Sequence, residues 1–259
     1  MDASTTEHAG DSAPPAPSRR RGELHAILLQ VRDTPVAEQQ EQRCFLDRCE
    51  FRPEQLVCWN LIENPEITYR DLGTADVVFI GGAGAHSALD DHPFTAPLSR
   101  LMERLIADRR PTLGSCWGHQ FLGRFLSGGR LAHDMERSEI GTFDIELTEA
   151  GEQDPLFAGL PRRFPVQLGH HDRIEVLAQD LEELAFSDLC PYQAVKVKGA
   201  PVYGTQFHSE MSVDDMFERL DVYREGYAAD PETYDRIARA LKPAPTADGL
   251  LGRFLDAYC

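Results

Sequence analysis

Three short apolar runs and a fourth, glycine-broken one constrain this chain more than any other feature. Ala26-Ile27-Leu28-Leu29, Leu56-Val57-Cys58-Trp59 and Val77-Val78-Phe79-Ile80 have the length of strands and no polar alternation, and Thr112-Leu113-Gly114-Ser115 follows them. Strands of that composition are covered on both faces, as in a parallel sheet. Helical patterns lie between them. A Gln- and Glu-rich stretch over 36–48 reads as one helix. Leu98, Leu101, Met102, Leu105 and Ile106 form a single helical face, and Phe121, Leu122, Phe125 and Leu126 mark another, ended by Gly128-Gly129. Strand and helix in alternation predict βαβ units with helices on both faces of a mostly parallel sheet.

The second half changes character. Thr142–Leu147, Phe164–Leu168, Leu184–Phe186, Ala194–Val197 and Val202–Phe207 read as short strands separated by turn signals, which predicts an antiparallel extension of the sheet. Ser212-Val213-Asp214-Asp215 resembles a capping box opening a helix with the face Val213, Met216, Phe217 and Leu220. Two more helical stretches lie near 231–241 and 248–258. Residues 1–22, rich in Ala, Ser, Pro and Asp and ending in Arg19-Arg20-Arg21, carry no apolar period and read as a disordered tail. The expected organisation is that tail, one domain over 23–225, and a helical extension over 226–259 packed on the same domain.

Charge narrows the function. With 26 basic and 43 acidic side chains the net charge is −17, so the surface repels phosphate backbones and anionic lipid. Nucleic acid and membranes are therefore not expected as partners. The apolar run near the start is too short to span a bilayer, no secretory h-region precedes it, and a cytoplasmic protein is expected. The six cysteines, at 44, 49, 58, 116, 190 and 259, form no CxxC pair and no zinc-ligand spacing, so they are expected as reduced thiols without a metal.

One of the six stands apart. Leu113-Gly114-Ser115-Cys116-Trp117-Gly118-His119-Gln120 lies between a predicted strand and a predicted helix. Glycines two residues on either side of Cys116 suit a nucleophile elbow, which places the sulfur at a helix N-terminus where dipole and free N–H groups favour a thiolate. Taken alone, the same pattern also describes a core cysteine in a glycine-rich turn. Gly204-Thr205-Gln206-Phe207-His208-Ser209-Glu210 closes a predicted strand, and positions 208 and 210 face the same way. A carboxylate beside a histidine fixes its tautomer and supports its charge, although a His and a Glu at a strand end are also ordinary. Gly81-Gly82-Ala83-Gly84 exposes backbone N–H groups that suit half of an oxyanion hole, or merely ends a strand.

Gly-x-Cys-x-Gly-x-Gln at 114–120 followed by Gln-Phe-His-x-Glu at 206–210 resembles the class I glutamine amidotransferase domain, in the flavour of GMP-synthase glutaminases and their free-standing relatives. Phe79-Ile80-Gly81-Gly82 is similar to the family's glycine loop, and Gly169-His170-His171-Asp172-Arg173-Ile174 to its His-x-Asp segment. The resemblance runs from about Glu23 to Tyr223 and implies a flavodoxin-like α/β fold. It makes Cys116 the nucleophile, His208 the base and acid, and Glu210 the orienting carboxylate. It places the N–H groups of Gly82 and Trp117 in the oxyanion hole and Gln120 in the glutamine pocket. His170 and Asp172 fall near the site mouth with no catalytic role, and His119 reads as a packed helix residue. Ser115, Ser209 and Ala83 depart from the family pattern, the last by lacking the proline that usually follows the glycine pair.

The implied reaction is hydrolysis of the glutamine side-chain amide through a glutamyl thioester, without metal or organic cofactor, the ammonia passing to a separate synthase. The stretch from Met211 to Cys259 is too short for a synthase domain. Two alternatives remain at this level: a stand-alone γ-glutamyl peptide or amine hydrolase, and a non-catalytic regulatory subunit of the same fold, against which the intact Cys, His and Glu argue.

Overall fold

The computed structural model describes residues 19–259. The first half is β1 (Ala26–Val31), α1 (Pro35–Cys49), β2 (Leu56–Asn60), β3 (Val77–Ala83), α2 (Thr95–Ala107), β4 (Thr112–Ser115) and α3 (Trp117–Phe125). There follow β5 (Arg130–His133), β6 (Glu139–Leu147), α4 (Glu149–Gln153), β7 (Arg163–His170), β8 (Asp172–Val176), β9 (Leu181–Ser187), β10 (Ala194–Val197) and β11 (Val202–Thr205). The chain closes with α5 (Val213–Val222), α6 (Arg224–Tyr227), α7 (Pro231–Ala240), α8 (Pro245–Asp248) and α9 (Leu250–Tyr258). Local chemistry sets several of these starts. Thr34 accepts the Ala37 N–H ahead of α1, Asp230 caps α7, and Ser212 and Asp215 form the expected capping box of α5.

Nine strands make one sheet in the order β2-β1-β3-β4-β11-β10-β9-β6-β7. The run β2 to β11 is parallel, and from β10 onward neighbouring strands are antiparallel. The parallel sheet with an antiparallel extension is thus as expected. β11 is the pivot: it arrives from the antiparallel half and inserts beside β4, pairing Thr205 with Ser115. It stops at Thr205, two residues earlier than the apolar pattern suggests. There the chain leaves the ladder, and the N–H groups of Gln206 and His208 donate to the carbonyls of Gln193 and Gln167. A separate ribbon of β5 and β8 has no clear signature in the sequence, because both strands are short and partly exposed.

The continuous apolar runs have the reason supposed for them. Ala26 and Leu28 of β1 and Val77 and Phe79 of β3 face one core, with Phe45 of α1 and Phe254 of α9. Ile27, Leu29 and Val31, with Val78 and Ile80, face a second core beneath α2 and α3. The closing helix α9 therefore supplies core side chains (Leu250, Leu251, Phe254 and Leu255, all buried) to the same cluster as the central strands.

Residues 1–18 of the expected tail lie outside the described residues. Its last four residues do not behave as a tail: Arg19 pairs with Asp76 at 2.9 Å, and Arg21 reaches the Gly252 carbonyl at 3.0 Å and the Asp256 carboxylate on α9. The boundary therefore falls before Arg19. Deleting residues 1–22 is expected to lower Tm by about 2–4 °C relative to deleting 1–18, since one backbone-directed hydrogen bond and two partly exposed ion pairs amount to about 1 kcal/mol. Thermal melts of the two truncations check this; equal midpoints would mean that these arginine contacts add nothing.

Candidate active site

Cys116 sits between β4 and α3 with φ 48° and ψ −96°, a conformation that non-glycine residues rarely adopt. Its N–H donates to the Thr205 carbonyl at 2.8 Å, and its carbonyl accepts from the Gln120 N–H at 3.0 Å. The flanking glycines permit a close approach rather than a special dihedral. A Cβ on Gly114 would lie 2.6 Å from the Gly118 backbone, and one on Gly118 would lie 2.5 Å from the Ile80 carbonyl oxygen. Only a chain lacking both side chains packs the helix start this tightly onto β3 and β4.

The segment leaving β11 passes beside this elbow. His208 Nδ1–H donates to Glu210 Oε1 at 2.6 Å, and both side chains are buried. Ser115 Oγ donates to the other carboxylate oxygen at 2.9 Å, so both oxygens of Glu210 are engaged. Burial pulls the His208 imidazole down, but the Glu210 carboxylate and the hydrogen-bonded Cys116 sulfur outweigh it and raise the group to about 9. Burial likewise works against the Glu210 anion, and His208, its own backbone and Ser115 overcome it, so the carboxyl is held below its usual range. With Nδ1 committed to Glu210, Nε2 is the nitrogen left for Cys116.

The sulfur opens into a pocket of about 190 Å³ lined by Gly84, Gln120, His170, Asp172 and Tyr227 among others. Gln120 Nε2 donates to the Asp172 carbonyl at 2.7 Å and to Gln206 Oε1 at 3.2 Å, and Gln206 Nε2 lies 3.6 Å from Cys116 Sγ. His170 and Asp172 are in the wall, where Asp172 also holds His133 and Ser87. His119 is fully buried behind the elbow, and burial pushes it down to about 3, so it is neutral and packed. Three contributors are not singled out by the sequence patterns. Gln206 is within their reach, because the alternation that joins 208 to 210 also includes 206. Ser115 stands out in the sequence only as a departure from the family pattern, and its hydroxyl proves to be a ligand of Glu210. Tyr227, on α6, donates to the Gly169 carbonyl at 3.1 Å, and burial followed by the Cys116 charge pushes its phenol up to about 12. The short α6 carries no signal.

The two expected oxyanion donors differ. Trp117 is the first residue of α3, so its N–H has no intrahelical acceptor and points out of the helix start beside Cys116. The Gly82 N–H is not free: it donates to Glu41 Oε1 at 3.0 Å, on a side chain with no exposed surface that is not part of the pocket wall. Glu41 also binds Arg32 at 2.6 Å and Gln30 at 2.9 Å. In this arrangement Gly82 does not serve the pocket.

Among the described residues, Glu139, His170 and Cys190 bring one potential metal-ligating atom each within 4.8 Å of one another. The donors are already spent. Glu139 accepts from Ser187, Gln193 and the His170 imidazole, and the Cys190 thiol donates to the Arg137 carbonyl, so the group reads as a hydrogen-bonded brace for the pocket wall. No helix among the described residues is long and apolar enough to cross a membrane.

Comparison with known proteins agrees with this geometry. The chain is 31% identical over 141 residues to the glutamine-hydrolysing GMP synthase subunit of Pyrococcus abyssi, covering 54% of this chain and 69% of the relative. Its fold is similar to the crystal structure of a glutamine amidotransferase from Thermotoga maritima (TM-score 0.68, 22% identity, 89% of this chain and 98% of that one). It is also similar to a glutamine amidotransferase from Methylobacillus flagellatus (TM-score 0.69, 20% identity, 90% and 92%). The family model for glutamine amidotransferase class-I matches residues 49–218, which include the elbow and the His208–Glu210 segment, and the chain belongs to that family.

Proposed function

We propose that the protein hydrolyses the side-chain amide of glutamine with Cys116 as nucleophile, His208 as proton carrier and Glu210 as its orienting carboxylate. The observation that carries this reading is the convergence, at one pocket, of a strained cysteine at a helix start and a buried His–Glu pair. Cys116 Sγ attacks the carboxamide carbon, and the Trp117 N–H receives the developing oxyanion. The imidazolium of His208 gives its proton to the departing nitrogen, which leaves as ammonia. His208 then takes a proton from water, whose oxygen attacks the thioester carbon, and glutamate and the thiol are released. Gln120 and Gln206 fix the pocket beside the sulfur.

The similarity to the glutamine-hydrolysing part of a GMP synthase supports a further part of the reading, that the ammonia passes to a separately encoded synthase. A glutaminase that serves a partner has reason to idle alone. The purified chain is therefore expected to turn over glutamine slowly, yet to prefer it to a γ-glutamyl dipeptide. Measuring kcat/KM for both substrates without any partner tests this. A dipeptide preference of 100-fold or more, about 2.7 kcal/mol in transition-state binding, would instead assign the site to a stand-alone γ-glutamyl hydrolase.

A further inference from the structure

The β1–β3 ladder is irregular at one place. Leu29 pairs with Ile80, but the next pair is Val31 with Ala83, so Gly81 and Gly82 together oppose Gln30. Such a bulge leaves one N–H outside the ladder. Here that group is the Gly82 amide, and Glu41 of α1 takes it. A Cβ on Gly81 would stand 2.5 Å from Glu41 Oε1, and one on Gly82 would stand 2.8 Å from Arg32 and 3.3 Å from the His208 ring. The bulge therefore lies between two acceptors, the buried carboxylate on one side and the pocket at Cys116 on the other. Two successive glycines give its peptide the freedom to turn from one to the other.

We propose that Glu41 is a positioning residue which holds the Gly82 amide out of the oxyanion position, leaving the resting site one donor short. The inference rests on the glutamine hydrolysis proposed above. Charge assistance makes a carboxylate a strong restraint on a backbone N–H, and the Arg32–Glu41 pair, both side chains wholly buried, fixes the carboxylate in place. The restraint also has a route to the surface. Arg32 donates to the Tyr223 hydroxyl at 3.3 Å, and a Cβ on Gly84 would run into the Tyr223 ring. The junction of α5 and α6 thus touches both the carboxylate's partner and the end of the glycine loop.

The test is a gain of function. In Glu41→Gln the neutral side chain still fits but holds the amide more weakly, and kcat for glutamine should rise at least tenfold, about 1.4 kcal/mol, with KM changed less than twofold. A packing role alone would lower kcat or leave it unchanged. Because Glu41→Gln strands the Arg32 charge, the double variant Arg32→Gln/Glu41→Gln, which buries no uncompensated ion, is measured beside it with the same expectation. Amide NMR of the unaltered chain adds a readout independent of folding: a hemithioacetal formed by a glutamine-like aldehyde on Cys116 should shift the Gly82 resonance strongly. Unchanged kcat in variants whose Cys116 still takes a glutamine-like chloroketone, or an unmoved Gly82 resonance in the adduct, overturns the restraint and spares the glutaminase reading. Absence of both turnover and labelling in every form overturns the two together.

Discussion

Cys116→Ala is expected to abolish glutamine hydrolysis and all labelling by a glutamine-mimicking chloroketone. The effect should be complete because no other thiol is placed or charged to take over. Burial pushes the Cys58 thiol up to about 11 and those of Cys190 and Cys259 up to about 12, and it raises Cys44 and Cys49 further. At neutral pH these five are protonated, and the neutral thiol is a poor nucleophile. Mass spectrometry of labelled peptides reads the result. Label that persists in the variant, or that appears on Cys58 or Cys190, would remove Cys116 from the role.

His208→Ala is expected to cost on the order of 10⁴-fold in kcat, nearly as much as losing the nucleophile, because it removes the proton carrier at the sulfur. Glu210→Gln keeps the ring but weakens its orientation and charge support, and should cost on the order of 10²- to 10⁴-fold. A pH profile separates chemistry from packing. The folded His208 is raised to about 9 from an ordinary 6.5, so the stability it contributes is complete below pH 6.5 and is lost as pH rises through 9. The proton needed by the leaving nitrogen is lost over the same interval. Unaltered protein should lose Tm and kcat together between about pH 7 and 10, and the alanine variant should show neither trend. Equal kcat for the variant and the unaltered chain would take His208 out of the mechanism.

The parts of this site that are legible in the sequence are those set by short-range geometry. Gly114 and Gly118 announce a tight strand-to-helix turn because each must lack a side chain, and positions 208 and 210 share a face at any strand end. The doubly covered β1 and β3 are legible because burial on both sides leaves no polar alternation. The engagement of Gly82 is not legible. Its acceptor lies on α1, whose buried face carries Gln40, Glu41, Cys44 and Phe45. Such a face has a weak apolar period, so a Gln- and Glu-rich helix looks wholly solvated until the sheet is closed over it. Nor does composition separate Arg19–Gly22 from the polar residues before them, since what anchors Arg21 is Gly252 and Asp256 at the other end of the chain.

The insertion of β11 between β4 and β10 also bears on how the molecule comes into being. Val202 pairs with Thr112 and Thr205 with Ser115, so the central strand carrying the base joins the strand carrying the nucleophile only after the intervening antiparallel half has been made. Contacts this distant in sequence are slow to form, because the closure entropy is lost before any pairing offsets it. During synthesis the elbow cysteine emerges well ahead of the strand that completes its surroundings. Until β11 docks, Cys116 has neither His208 beside it nor the Thr205 carbonyl to hold its strained backbone. The newborn chain is then chemically silent, and ammonia release begins only once the whole sheet has closed.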